Sequence, residues 1–170
     1  MKKSYKLALA GIFAGLALIA FIIENLFPPL ILPGAKMGVS NLFILLSALI
    51  LGGGYAFAVL AVKTVVGSLF VGNISSVMYS LPAGAIALGV ELILLYLIKN
   101  VSILATSIVG AVLNVTVQNG VFCLVTNVPE YLFYLPYLAL VSVVSGALIG
   151  IATYLIIKKF PFKKFQNGNS

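Results

Sequence analysis

The chain of 170 residues has no aspartate, arginine, histidine or tryptophan, and it has only three glutamates and one cysteine. Without His and Asp it cannot by itself form a Ser-His-Asp triad or a His-based metal site. The three glutamates are widely separated, and Cys123 has no partner for an intramolecular disulfide. We therefore expect no catalytic residue, no metal site and no cofactor, and we do not expect the chain to be an enzyme.

Charged side chains of either sign are scarce. They make up 8% of the sequence, against about 25% in a typical soluble domain, while hydrophobic residues make up 62% and mean hydropathy is +1.23. The net charge of +7 comes from ten lysines that lie mostly near the two ends, without a basic stripe interleaved with aromatic residues. This composition predicts an integral membrane protein in contact with lipid and does not favour nucleic-acid binding.

Six apolar segments are present, separated by glycine, proline and short polar breaks. A membrane-spanning helix takes roughly 20 residues, so the sequence predicts one all-α transmembrane domain over residues 1–170, a six-transmembrane-helix bundle. Prolines and a glycine between the first two segments exclude regular helix there and predict an irregular loop that folds back into the outer mouth of the bundle. The predicted helices cover residues 7–24, 39–51, 55–71, 77–98, 103–125 and 131–157.

The distribution of lysine predicts the orientation. With six helices and a cytoplasmic N-terminus, eight of the ten lysines fall on the cytoplasmic side, as the positive-inside rule requires. An odd number of helices would place the two terminal lysine clusters on opposite sides of the membrane. We therefore expect both termini to be cytoplasmic, in a multi-pass protein of a bacterial-type plasma membrane.

Two charged residues fall inside predicted helices. Lys63 and Glu91 lie at similar depth, about 13 Å and 10 Å from the cytoplasmic ends of the third and fourth helices at 1.5 Å rise per residue. A charge at this depth must face protein, water or ligand. Two interpretations stay open: a structural ion pair between Lys63 and Glu91, or a Lys63 that binds an anionic ligand.

Further polar side chains extend this pattern. Asn114 and Gln118 are one turn apart on the fifth helix, so they share a face that either hydrogen-bonds neighbouring helices or lines a cavity open to the outside. In the second interpretation, Tyr79 and Ser80 lie near the mouth of that cavity. Lys36 stands just before the second helix, where lysine and helix N-terminus together suit a carboxylate or phosphate. Snorkelling to lipid headgroups is the alternative for Lys36.

The first helix carries small residues at a spacing of four: Ala10 with Ala14, and Gly11 with Gly15. Such faces let another helix approach closely, either inside the bundle or on a partner protein. The sixth helix has a similar face, which we interpret as internal packing: Ser142, Ser145, Gly146, Ile149 and Gly150.

The chain resembles the Gx transporter family, whose members are often labelled heptaprenyl diphosphate synthase component I. The resemblance covers roughly residues 5–157. It rests on the segment Pro-Gly-Ala-Lys-Met-Gly-Val-Ser-Asn ending at Asn41, on Lys63 in Ala-Val-Lys-Thr-Val-Val-Gly, on Tyr79-Ser80 followed by Gly84, and on Gln118. Many relatives have Arg at the position of Lys63 and His at the position of Asn114.

This family is similar to the substrate-binding S components of energy-coupling factor transporters, which are six-helix membrane proteins. The resemblance implies capture of a small anionic or amphipathic micronutrient, or of a quinone or isoprenoid precursor, from outside the cell. It implies a transmembrane coupling subunit and two ATPase subunits as partners, with Ala10 and Ala14 as the docking residues. The substrate-binding residues it suggests, together with the polar residues above, are Lys36, Asn41, Lys63, Tyr79, Glu91, Asn114 and Gln118.

Two alternatives remain at this point. The chain is a non-catalytic membrane subunit associated with heptaprenyl diphosphate synthase, since chain elongation needs Asp-rich motifs that it lacks. Or it is a stand-alone secondary transporter in which Lys63 and Glu91 couple transport to ions, although the inverted repeats common in such proteins are not visible.

Overall fold

The computed structural model describes residues 3–26 and 38–159. Within these two ranges the chain forms six α-helices and one 3-10 helix and no strand, which confirms the all-helical prediction for this part of the chain. The 3-10 helix, Pro129–Tyr134, leads directly into the last α-helix. The α-helices are α1 (Lys3–Leu26), α2 (Val39–Ile50), α3 (Gly53–Phe70), α4 (Ser76–Leu97), α5 (Ile103–Thr126) and α6 (Leu135–Lys159).

Helix length distinguishes α2 from the others. Helices α1, α3, α4 and α5, and α6 together with the 3-10 helix, are long and apolar enough to cross a membrane, so the chain is a multi-pass membrane protein. Helix α2 has twelve residues, about 18 Å at 1.5 Å per residue, and is shorter than the hydrocarbon core of about 30 Å. It ends at the glycines that follow Leu51, where Gly52 has φ 103° and the chain turns into α3.

The helices pack as two groups of three. Helix α1 lies against α2 and α3, and α5 lies between α4 and α6; contacts of α3 with α4 and of α2 with α6 join the two groups. The core of the first group contains alanines that are fully buried, which allows the helix backbones to come close. These alanines are Ala17, Ala48 and Ala56.

Helices α5 and α6 touch almost backbone to backbone. A Cβ atom placed on Gly146 would lie 2.9 Å from the Cα of Ile108, and one on Gly150 would lie 2.9 Å from the Cα of Leu104. The small-residue face of α6 is therefore buried inside the bundle against α5, as the sequence predicted.

Candidate functional site

A cavity of about 80 Å³ lies between the two groups of helices and receives side chains from all six of them. We call it the central cavity. Its lining is unusually polar for a protein of this composition. The polar residues that line it are Glu24, Ser40, Asn41, Lys63, Thr64, Ser80, Asn114, Gln118, Ser142 and Ser145.

Lys63 is in the wall of this cavity, on α3. Its ammonium group donates a hydrogen bond of 3.0 Å to Oδ1 of Asn41 on α2 and lies 5.4 Å from the centroid of the Phe21 ring on α1. Lys63 thus connects three helices at the cavity surface. An ammonium group has three donors, and the position suits recognition of a carboxylate or phosphate.

Gln118 and Asn114 line the same cavity from α5. The amide nitrogen of Gln118 donates to the hydroxyl oxygen of Ser80 on α4 at 3.4 Å. The sequence left open whether these amides bond neighbouring helices or line a cavity. Gln118 does both, because it bonds Ser80 on α4 and also lines the central cavity.

Glu91 lies in an adjoining space of about 30 Å³, which we call the second chamber. Its carboxyl group packs against Gly110 on α5, in the space that a side chain at position 110 would occupy. Lys63 lines the central cavity and Glu91 lines the second chamber, so the two charged side chains face different spaces and do not form the ion pair that their similar depth allows. Asn41 and Asn114 line both spaces.

Tyr79 does not line either space. Its ring packs edge-to-face on Phe122, with centroids 5.4 Å apart, and Phe122 packs in the same way on Tyr131 at 4.9 Å. Asn119 donates to the carbonyl oxygen of Tyr131 at 3.2 Å. Neighbouring residues point about 100° apart on a helix, so Ser80 reaches the central cavity while Tyr79 joins this aromatic cluster.

Two other groups were predicted to bind a ligand or a partner: Lys36, and the small residues of α1. Lys36 and most of the predicted irregular loop lie outside the described residues. Ala10 and Ala14 are buried, 7% and 9% exposed, in the apolar core that α1 shares with α2 and α3. Gly11 and Gly15 are exposed instead, with open space beside them. Docking through Ala10 and Ala14 stays a prediction. Because Gly11 and Gly15 are exposed and the two alanines are buried, a partner helix would contact the glycines.

Glu24 has a structural role that the sequence did not reveal. Its carboxylate accepts hydrogen bonds from the backbone N–H of Val39, at 2.5 Å, and from the hydroxyl of Ser40, at 3.4 Å. It thereby caps the N-terminus of α2, where Gly38 in the left-handed conformation offers no side chain to do so. The N-terminus of α2, which the neighbouring Lys36 made a candidate site for an external carboxylate or phosphate, is capped by a carboxylate of the chain itself. No sequence pattern within one helix indicates this contact, because Glu24 and Val39 are 15 residues apart.

Loss of this cap should destabilise the protein. In Glu24→Ala, the first backbone donors of α2 lose their acceptor, and we expect a loss of about 1 kcal/mol, or about 2–4 °C in Tm for a chain of this size. Thermal unfolding in detergent measures it. Glu130→Ala, an exposed glutamate in the 3-10 helix, is the control and should leave Tm unchanged. Equal Tm values for the two variants would show that the cap contributes nothing.

The residues that the structure describes contain no group of three or more His, Cys, Asp or Glu side chains able to hold a metal ion. The central cavity is instead lined by amides and hydroxyls together with Lys63 and the Glu24 carboxylate, and Glu91 adds a carboxyl group in the adjoining chamber. Such an arrangement can bind and orient a small polar group.

Comparison with known proteins gives one match. A family model described as heptaprenyl diphosphate synthase component I matches residues 13–156, which is most of the chain. No curated protein and no solved structure matches.

Proposed function

We propose, from the premise that the chain belongs to the heptaprenyl diphosphate synthase component I family, that it is the substrate-binding membrane component of an uptake transporter. The observation that carries the proposal is the central cavity. A multi-pass protein with very few charges directs a lysine, three amides and several hydroxyls from five of its six helices into one space, and α1 adds Glu24. Polar side chains are costly inside a membrane and usually mark a pathway or a binding site.

The lining indicates the chemistry of the ligand. Lys63 supplies a positive charge, and Asn41, Asn114 and Gln118 supply amides that both donate and accept. At about 80 Å³ the cavity is smaller than the roughly 300–1,000 Å³ of pockets that enclose drug-sized molecules. We therefore expect it to hold a compact anionic group, a carboxylate or a phosphate, of a small anionic or amphipathic molecule.

The energy for uptake would come from other subunits. The chain contains no aspartate, so it lacks the acidic residue that holds Mg²⁺ in P-loop ATPases. A transmembrane coupling subunit with two ATPase subunits would supply it. The exposed face of α1 around Gly11 and Gly15 is suited to close contact with a helix of the coupling subunit, because both positions have open space beside them.

The description of the family favours a second candidate. A component I implies a partner subunit, and the chain would then be the non-catalytic membrane subunit of a heptaprenyl diphosphate synthase. The two candidates predict different partners, an ATPase module in one case and a soluble Asp-rich synthase in the other.

Affinity capture from native membranes distinguishes them. We expect the wild-type chain to retain a membrane coupling subunit and ATPases, identified by mass spectrometry, and the double variant Gly11→Leu, Gly15→Leu to lose them because leucine blocks close helix approach. Gly89→Leu on α4, also with open space beside it, is the matched control and should retain the partners. Capture of a prenyl synthase without ATPases would replace the transporter proposal by the second candidate.

A further inference from the structure

The second chamber contains three polar side chains that have no partner. Glu91, Ser107 and Asn114 line it, and none of them makes a hydrogen bond with any residue in the ranges 3–26 and 38–159. Around the central cavity, by contrast, Lys63 bonds Asn41 and Gln118 bonds Ser80. Inside a membrane, polar groups that protein does not satisfy require another partner.

Among the described residues that line the chamber, Glu91 alone has an ionisable side chain. It reaches this position because α5 has a glycine, Gly110, directly opposite its carboxyl group. No ionisable side chain from α2, α3, α5 or α6 lines the chamber, and Lys63 lines the central cavity instead. An ionised Glu91 would therefore be a buried charge without a counter-charge in its own chamber.

The size of the chamber restricts what fills it. A space of about 30 Å³ holds one or two particles the size of water, since one water needs roughly 10–15 Å³ measured in this way. An organic ammonium group with its carbon skeleton is too large. A carboxylate, an amide oxygen and a hydroxyl are ligands for a hard cation, and a single negative charge is balanced by a single positive one.

We propose that Glu91, Asn114 and Ser107 form a binding site for one monovalent cation, a sodium ion or a proton, that neutralises the Glu91 carboxylate inside the bundle. The site is separate from the proposed ligand contacts at Lys63 and does not depend on the transport function. Asn114 also lines the central cavity, so the cation and a ligand would share one amide between them.

Thermal unfolding of the purified full-length protein tests the site. Tm is measured in NaCl, KCl and choline chloride at constant ionic strength, over a range from mildly acidic to mildly alkaline pH. For a sodium site, saturating sodium should raise Tm by about 5 °C or more relative to choline, most strongly at alkaline pH, where no proton competes. Glu91→Gln should abolish the sodium effect, and Glu130→Gln at the exposed 3-10 helix should keep it.

If the site binds a proton, sodium should not change Tm, and the dependence of Tm on pH tests the site. In that case loss of the proton leaves Glu91 charged without a counter-charge in its chamber, so the Tm of wild type should fall as pH rises, while that of Glu91→Gln should stay level. The proposal is overturned if wild type and Glu91→Gln respond alike to both sodium and pH. If Glu91→Gln does not fold, the same measurements of Tm against sodium and pH on Ser107→Ala test the site. A several-fold weaker sodium midpoint or a shifted pH response supports the site, and an unchanged response to both contradicts it.

Discussion

A chain carrying Gly146→Leu, Gly150→Leu should lose the close packing of α5 against α6 and, with it, much of its stability. Both glycines face the backbone of α5, where even a Cβ atom would lie 2.9 Å from a Cα atom, so neither helix can yield by changing a side-chain rotamer. Overpacking commonly costs about 1–3 kcal/mol per site, and here the whole contact between α5 and α6 must open. We expect Tm to fall by about 5–10 °C or the folded peak to disappear in size-exclusion chromatography.

Helix α1 supplies the matched control. Gly11 and Gly15 have the same spacing, but nothing lies within 4 Å of a Cβ atom at either position. The purified double variant Gly11→Leu, Gly15→Leu should therefore have a Tm close to that of wild type. If both double variants unfold alike, leucine in a glycine face is harmful in itself and the close contact between α5 and α6 is not the cause.

Replacing Lys63 should remove ligand binding while preserving the fold. Lys63→Met keeps the length of the side chain but loses the charge, and a hydrogen bond to a charged group is worth about 1.5–3 kcal/mol, or about 10–150-fold in affinity. Lys63 is only half-buried, and Lys63→Met removes its hydrogen bond to Asn41. We therefore expect Lys63→Met to remain folded, with a Tm lowered by no more than about 6 °C.

The measurement is the amount of small molecule that co-purifies from native membranes, quantified by mass spectrometry after denaturation. Wild type should retain a molecule with a carboxylate or phosphate group, and Lys63→Met at least about tenfold less of it. Lys99→Met changes an exposed lysine after α4 and should retain as much as wild type. Equal retention by all three proteins would place the binding site away from the central cavity.

The pattern of apolar segments predicted the fold well, for a simple physical reason. A helix that meets lipid must satisfy its own backbone hydrogen bonds, so long apolar segments bounded by glycine and proline have few alternatives to helix. The residues between 126 and 135 are less regular than predicted. The chain forms a 3-10 helix at Pro129–Tyr134 before α6 begins at Leu135, because a proline near the start of a segment removes a donor without fixing which helix follows.

The candidate site was predicted in part. The rarity of polar residues in the apolar segments singled out Lys63, Asn114 and Gln118, and the structure brings all three to the central cavity. Tyr79 was misplaced because its neighbour Ser80 takes the cavity-facing position on α4. The capping role of Glu24 depends on a contact between α1 and the start of α2, and no spacing rule within one helix reveals such a contact.

The sequence by itself determined that this is a helical membrane protein, because its composition and the cost of exposing backbone in lipid favour apolar helices. The tertiary structure alone decided which polar side chains line the central cavity and which line the second chamber. Counting residues predicts a similar depth for Lys63 and Glu91, but in the folded chain Lys63 lines the central cavity, while Glu91 lines the second chamber and packs against Gly110. The position of a residue along its helix follows from counting residues, whereas the direction in which its side chain points depends on how the helices pack.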